Sequence, residues 1–308
     1  MNILVTGAAG FIGSHVADAC LDSGHAVTII DDLSMGKKEN VNPKAAFVQL
    51  DIRSKELAGL FEKGRFDAVV HLAAQMDVRK SVEEPLFDAS VNILGSVNLL
   101  EHSRKFGVKK FVFASTGGAI YGEQEKFPAD ESHPLRPISP YGISKAAIEK
   151  YLYYYHEVFG LRYVSLRFGN VYGPRQNPHG EAGVIAIFTS KMLAGEEPVI
   201  NGDGMQTRDY VYVGDVVKAN LFAIGYDRVG IFNVGTGIET NVNQLFGILL
   251  EVTGSSCREV HAPAKKGEQL RSVLDARLLQ TTASWSASMP LKEGLRKTVE
   301  FFQAKKKA

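Results

Sequence analysis

The sequence predicts an α/β protein built on a doubly wound parallel sheet, followed by a smaller mixed α/β domain. Short, continuously apolar runs alternate with helical periodicity through the first half. A glycine triplet closes the first of those runs. The composition is that of a protein with a real core: of 308 residues, 45% are hydrophobic and 22% charged, ordinary globular values. At roughly 150 residues per domain the length accommodates two domains.

Taken in order, Ile3-Leu4-Val5 is a buried run ending at Thr6-Gly7. Phe11 to Leu21 has helical spacing and stops at Ser23-Gly24, where a glycine takes a left-handed cap. Val27 to Ile30, Phe47 to Leu50, Ala68 to His71 and Lys110 to Ala114 read as further strands, with helical stretches near residues 54–63 and 86–106. Such alternation implies βαβ units and a parallel sheet covered on both faces. After residue 168 the pattern loosens into NVYGPRQNPHGEAG, then a helix over Val184 to Leu193 and a Gly-rich turn at 201–204. Tyr210 to Val213 and Gly230 to Val234 read as strands. The expected division is 1–168 as a nucleotide-binding domain, to which the chain returns around 210–236, with 169–308 mostly a substrate domain.

Composition excludes several classes. The balance of 35 Lys+Arg against 34 Asp+Glu lacks the basic excess of a dedicated nucleic-acid binder. No apolar run approaches the roughly 18 residues of a membrane span, and the N-terminus has no basic, apolar leader. Cys20 and Cys257 make no disulfide framework, and no His/Cys cluster has metal-ligand spacing. The expectation is a soluble cytoplasmic protein with no structural metal.

Residues 3–14 read ILVTGAAGFIGS. Gly7 permits the tight turn, Gly10 lets backbone approach a pyrophosphate, and Gly13 lets helix pack on strand. The helix then presents free N–H groups and its positive dipole to the phosphates. Asp31, about 20 residues on, is placed to accept from both adenosine ribose hydroxyls. A 2′-phosphate beside Asp31-Asp32 would be repelled by about 1–3 kcal/mol at ~4–6 Å, which favours NAD over NADP. Lys37 and Lys38 read as a solvated loop.

Residues 140–146 read PYGISKA, and the helix they open places Tyr141 and Lys145 on one face. A free tyrosine, pKa ~10, is phenolate in only about one molecule in a thousand at pH 7. Lowering that by ~3 units needs about 4 kcal/mol of preferential stabilisation of the anion. A lysine ammonium and the positive ring of bound NAD supply it. Lys145 also reaches the nicotinamide ribose.

TGAAGFIGSH, DDLS, DIR at 51–53, HLAAQ at 71–75, PYGISK, RFGNVYGPRQ and RDYVYVGDVV occur in this order. Together they resemble the extended short-chain dehydrogenase/reductases, and among them the UDP-glucose 4-epimerases. The resemblance implies a Rossmann domain and a UDP-sugar domain. It places Gly7, Gly10, Phe11, Ile12 and Gly13 along the pyrophosphate, Asp31 and Asp32 at the adenosine ribose, and Asp51 and Ile52 beside adenine. Leu72, Ala73, Ala74, Gln75 and Asn92 would run along the cofactor. Tyr141 would be the base and Lys145 its partner. Asn170 and Arg208 would hold the sugar diphosphate, and Lys265 and Glu268 the phosphate and uridine ribose.

Two departures matter. Relatives carry a hydroxyl four residues before the Tyr-Gly pair, where this chain has Gly117, in ASTGGAIYG. Thr116 is the expected substitute if the loop bulges, with Ser115, Tyr141 or a water as the alternatives. Leu270 stands where relatives carry arginine, and Arg271 beside it is the expected substitute in binding the substrate. Ser272, small where a bulky neighbour of the sugar limits other members, suggests a pocket that admits an N-acetyl group.

The implied reaction is reversible inversion at C4 of a UDP-hexose through a 4-keto sugar, with NAD retained. The alternatives are a 4-epimerase or decarboxylase acting on a UDP-uronic acid or another nucleotide sugar, and a non-catalytic NAD sensor. A 4,6-dehydratase would need an Asp-Glu pair where Gly117-Gly118 stand. Helices 86–106 and 141–159 would form a homodimer interface, with Val91, Leu94, Val97 and Leu100 as an apolar stripe.

Overall fold

Seven parallel strands form the central sheet in the order β10-β6-β5-β4-β1-β2-β3. They are β1 (Asn2–Thr6), β2 (Ala26–Asp31), β3 (Ala46–Gln49), β4 (Ala68–His71), β5 (Lys110–Thr116), β6 (Arg162–Phe168) and β10 (Gly230–Val234). The computed structural model describes residues 1–178, 183–264 and 269–307. Strand β1 shows why the apolar runs are continuous. Ile3 and Val5 join the core under the helices Phe11–Asp22 and Val213–Gly225, while Leu4 joins the core under Ser96–Lys105 and Pro140–Phe159. Both faces are covered, which favours apolar side chains at successive positions. The strand order reverses between β1 and β4, and the crevice beyond their carboxyl ends is where such sheets bind ligands.

The second sheet is assembled from distant segments. Strand β9 (Thr207–Tyr212) pairs with β7 (Asn170–Tyr172), β11 (Glu239–Asn241) and β13 (Arg271–Ser272). A separate two-stranded sheet joins β8 (Val199–Asn201) to β12 (Val260–Ala262). The helices Val184–Ala194, Val242–Thr253 and Leu291–Lys307 pack around a third core containing Phe188, Phe246, Leu249 and Leu295. No helix among the described residues is long and apolar enough to cross a membrane.

Three details differ from expectation. The strand read at 210–213 lies in the second sheet, and the chain rejoins the first through the helix Val213–Gly225 and β10. The stretch 86–106 is three pieces, Pro85–Ala89, a π-helical segment Ser90–Gly95 and Ser96–Lys105. Its supposed stripe is mostly core: Leu100 is fully buried and Val91 and Val97 are half-buried, leaving Leu94 exposed.

Strand β6 was not anticipated, because Ser165 and Arg167 interrupt its apolar run. Both are buried and both meet Glu149 of the helix Pro140–Phe159. Arg167 donates from Nε and Nη2 to the two Glu149 oxygens at 3.0 and 2.6 Å, and Ser165 Oγ donates to Oε1 at 2.9 Å. Breaking a buried pair strands one charge. Arg167→Met is therefore expected to destabilise the fold by about 3–5 kcal/mol, read as a lowered denaturation midpoint.

Candidate active site

The glycine turn needs its glycines. Gly7 has φ +71°, and a Cβ there would lie 2.6 Å from Ala73 N and 2.7 Å from Ala73 Cα. A Cβ on Gly13 would lie 2.3 Å from Gly7 O. Gly10 caps the helix Phe11–Asp22, which has no side-chain cap bond and no acidic residue in its first turn. Its positive end, at Phe11 and Ile12, faces no charge of its own first turn, the electrostatics an anion requires.

Asp31 is buried at the end of β2 and accepts from Ala9 N and Leu33 N, both at 2.9 Å. Burial pushes its carboxyl above the usual range, opposed by those two amide bonds. A Cβ on Gly36 would strike Asp31 Oδ1 at 2.6 Å, so backbone passes close over the carboxylate. Asp32 is exposed and accepts from Ser34 N and Oγ. Asp51 is held by Arg53, whose hydrogen bond lowers its pKa. Ile52 is buried beneath Gly95.

A buried polar chain joins the loops after β1 and β4. Thr6 Oγ1 accepts from Leu72 N at 3.2 Å and Ala73 N at 3.1 Å, so its hydrogen points to His71 Nδ1, 2.8 Å away. His71 Nε2 then donates to Ser96 Oγ at 2.8 Å, and Ser96 donates to Asn92 O at 2.6 Å. Burial, aided by the Lys145 charge, drives the His71 pKa down to about 3, so the ring stays neutral. Asn92, in the π-helical segment, accepts from Gln75 N at 2.9 Å and donates to Gln75 O at 2.8 Å. The 72–75 strip, with Ala74 half-buried in it, is thus fixed at both ends.

Pro140–Phe159 opens with Ser139 as its N-cap and Pro140 at its first turn. Gly142 lets this helix lie on the short helix Gly117–Ile120, since a Cβ would sit 2.7 Å from Ala119 O. Tyr141 is half-buried. Lys145 is buried, donates to Ala114 O at 2.7 Å, and lies 5.7 Å from the Tyr141 ring centroid and 4.7 Å from that of Phe113. Burial lowers the Lys145 pKa to about 8, with the Asp88 and Glu149 charges resisting. The ammonium therefore persists at neutral pH and is lost as pH rises through that value.

Thr116 ends β5 and its hydroxyl accepts from Ala119 N at 3.2 Å. A Cβ on Gly118 would fall 3.9 Å from Thr116 Oγ1 and 3.8 Å from Asn170 Oδ1, so the two polar groups flank one open space. Ser115 Oγ is buried with no hydrogen-bond partner among the described residues. Gly117 has a steric reason: its Cβ would lie 2.4 Å from Leu274 Cδ1. Leu274 is fully buried and lies close to Gly235 and Gly169, so its side chain has little room to retreat.

The register of the second sheet gathers the remaining residues. Arg208 stands opposite Ser272 of β13 and Thr240 of β11, and Asn170 opposite Tyr210. Ser272 is buried, and Arg208 is half-buried and donates to Thr207 O at 2.8 Å. Arg271 departs from expectation. Its guanidinium is taken by Glu239, at 2.7 and 2.5 Å, and stacks 3.8 Å from the Phe127 ring centroid. Glu239 takes its Nε and one Nη2 hydrogen, which fixes the direction of the guanidinium, and Leu270 is exposed beside it. Lys265 and Glu268 lie outside the described residues.

Two supports escaped the sequence reading. Asp209, the buried neighbour of Arg208 on β9, accepts from Thr236 N and Oγ1, Gly237 N and Leu274 N. Asp88, also buried, touches both the cofactor loop and the tyrosine's helix. Asp88 did leave a signal: it lies four residues before Asn92 on a helical face otherwise meant for apolar side chains.

A glycine turn, a buried carboxylate at the end of the second strand and a Tyr/Lys pair at the carboxyl edge of a parallel sheet define a dinucleotide-dependent enzyme fold. Residues 3–235 match the NAD dependent epimerase/dehydratase family, and the chain belongs to that family. A crystal structure of UDP-glucose 4-epimerase with UDP-glucose from Thermotoga maritima superposes with TM-score 0.97 at 52% identity, covering 99% of both chains. The Thermus thermophilus UDP-glucose 4-epimerase complex with NAD gives 0.94 at 46% identity, over 98% of this chain and 99% of that one. A putative UDP-glucose 4-epimerase of Methanocaldococcus jannaschii is 48% identical over 301 residues, 98% of each chain. The residues of this turn fit a dinucleotide: the Gly7 and Gly13 cradles admit no side chain, and the helix end behind them has no side-chain cap.

Proposed function

We propose that the protein is a NAD-dependent UDP-glucose 4-epimerase, inverting C4 of UDP-glucose and UDP-galactose reversibly. The observation that carries this reading is the buried Lys145 ammonium beside the Tyr141 ring at the end of β5. NAD, when bound, supplies a reversible hydride acceptor. Tyr141 takes the proton from the C4 hydroxyl and later returns it to the C4 oxygen, once the 4-keto sugar has turned to offer its opposite face to the hydride. Lys145 stabilises the phenolate electrostatically. Gly7, Gly10, Phe11, Ile12 and Gly13 hold the pyrophosphate, Asp31 the adenosine ribose, and the 72–75 strip with Asn92 the nicotinamide side.

Arg208 and Asn170 anchor the UDP diphosphate while the sugar turns, a task suited to a guanidinium fork. Thr116 fills the hydroxyl role beside the sugar, supported by the space it shares with Asn170 over Gly118. Ser272 leaves room for a C2 N-acetyl group, which extends the reading to the UDP-N-acetylhexosamine pair. The test is purified protein with UDP-galactose and no added NAD: UDP-glucose is the expected product, and no interconversion under these conditions rejects the reading. Ser272→Tyr is expected to cut kcat/KM for UDP-N-acetylglucosamine at least about tenfold relative to UDP-galactose, the size of a steric clash worth about 1.4 kcal/mol.

The exposed Leu86 of Pro85–Ala89, Leu94 of the π-helical segment, and Tyr154 and Val158 of Pro140–Phe159 lie on elements that pack against one another, and such a surface suits a homodimer. Sedimentation at micromolar concentration reads the assembly directly. Two free cysteines fit a cytoplasmic location.

A further inference from the structure

We propose that Asp88 is a positioning residue: it keeps the Lys145 ammonium charged and docks the helix of Tyr141 onto the cofactor loop. The inference rests on reading Tyr141 and Lys145 as the reacting pair.

Asp88 is fully buried, and among the described residues its carboxylate accepts three hydrogen bonds, all from neutral donors. Oδ2 accepts from Ser144 Oγ at 2.6 Å. Oδ1 accepts from Asn92 Nδ2 at 2.8 Å and Gln75 Nε2 at 3.1 Å. No ion pair holds it among the described residues. A buried carboxylate without a contacting cation is costly, so the charge needs another use. Ser144 immediately precedes Lys145, and Gln75 and Asn92 form the cofactor strip. One carboxylate therefore links the two halves of the site.

The groups around Lys145 leave Asp88 as its principal counter-charge. Burial lowers the lysine, and Asp88 is the larger of the two charges opposing that, ahead of Glu149. Glu149, one turn further along the same helix, is already neutralised by Arg167 of β6. His71 of β4 is held uncharged. Phe113 of β5 offers only its ring face, and Tyr141 is the group to be ionised. Without Asp88 the ammonium would face burial with a neutralised pair as its neighbour.

Asp88→Asn tests charge separately from shape. The amide oxygen can still accept from Asn92 and Gln75, and its nitrogen can donate to Ser144 Oγ once that hydroxyl turns round. Ser144→Ala does the reverse, keeping the charge and removing the docking bond. The readout is the 13Cε resonance of Lys145 in lysine-labelled holoenzyme, identified by its loss in Lys145→Arg and followed against pH. A unit charge within about 12 Å, at an effective dielectric of about 20, moves such a midpoint by about one pH unit or more. Asp88→Asn should lower the Lys145 midpoint by about that much, and Ser144→Ala should leave it in place while lowering the denaturation temperature. With UDP-galactose, the alkaline limb of kcat should move down in step in Asp88→Asn alone.

An unmoved midpoint in Asp88→Asn, or an equal shift in Ser144→Ala, overturns the proposal. Asp88→Ser gives the same reading if the asparagine variant does not fold. A protein whose midpoint moves as stated but which converts no UDP-sugar keeps the electrostatic role of Asp88 and loses the proposed substrate.

Discussion

Tyr141→Phe should lower kcat for UDP-galactose by about 10³-fold or more, within the usual range for removing a general base, and leave NAD bound. The substitution deletes one oxygen from a half-buried side chain at the first turn of its helix. Neither the cap at Ser139 nor the packing of Gly142 on Ala119 depends on that atom. Stability should therefore change by no more than about 1 kcal/mol, the usual worth of a hydrogen bond. What is lost is the acceptor for the C4 hydroxyl proton. The measurement pairs initial rates with NAD released per chain on denaturation. A variant that keeps its NAD and retains more than about a tenth of the rate would remove Tyr141 from the base's role.

Gly7→Ala should abolish both cofactor retention and much of the stability. The added carbon meets two penalties together. A left-handed backbone costs an L-residue roughly 1–2 kcal/mol. The Cβ would also stand 2.6–2.9 Å from the backbone of Ala73 and Leu72, which cannot swing aside as a side chain would. Thr6 Oγ1 pins those same residues through two hydrogen bonds, so relief requires breaking the weld to His71. The expected result is a lower thermal midpoint and loss of bound NAD even at excess cofactor. Wild-type stability with only weakened NAD would show that the loops part more easily than their hydrogen bonds imply.

The central sheet was legible because strands covered on both faces favour unbroken apolar runs, as residues 3–5 of β1, 68–70 of β4 and 111–114 of β5 are. Strand β6 was not, because its polar residues are satisfied by Glu149, a partner that sequence spacing cannot reveal. The tyrosine, the lysine and the glycine turn were readable as local motifs. Asp209 and the register that sets Arg208 against Ser272 were not, since they join segments more than 60 residues apart. The apolar stripe over 86–106 misled because a π-helical segment rotates its residues away from the ideal period. Arg271 was read as a spare cation because Glu239, its partner, lies 32 residues away on another strand.

The fit of Gly117 against Leu274 couples two positions that are far apart along the chain. A serine introduced at 117 alone collides with a leucine crowded by Gly235 and Gly169. A smaller residue at 274 alone leaves a void beside the clamp on Asp209. Either change becomes tolerable only in the company of the other, so evolution could regain a hydroxyl here only by a paired exchange, and an engineer must take both steps at once.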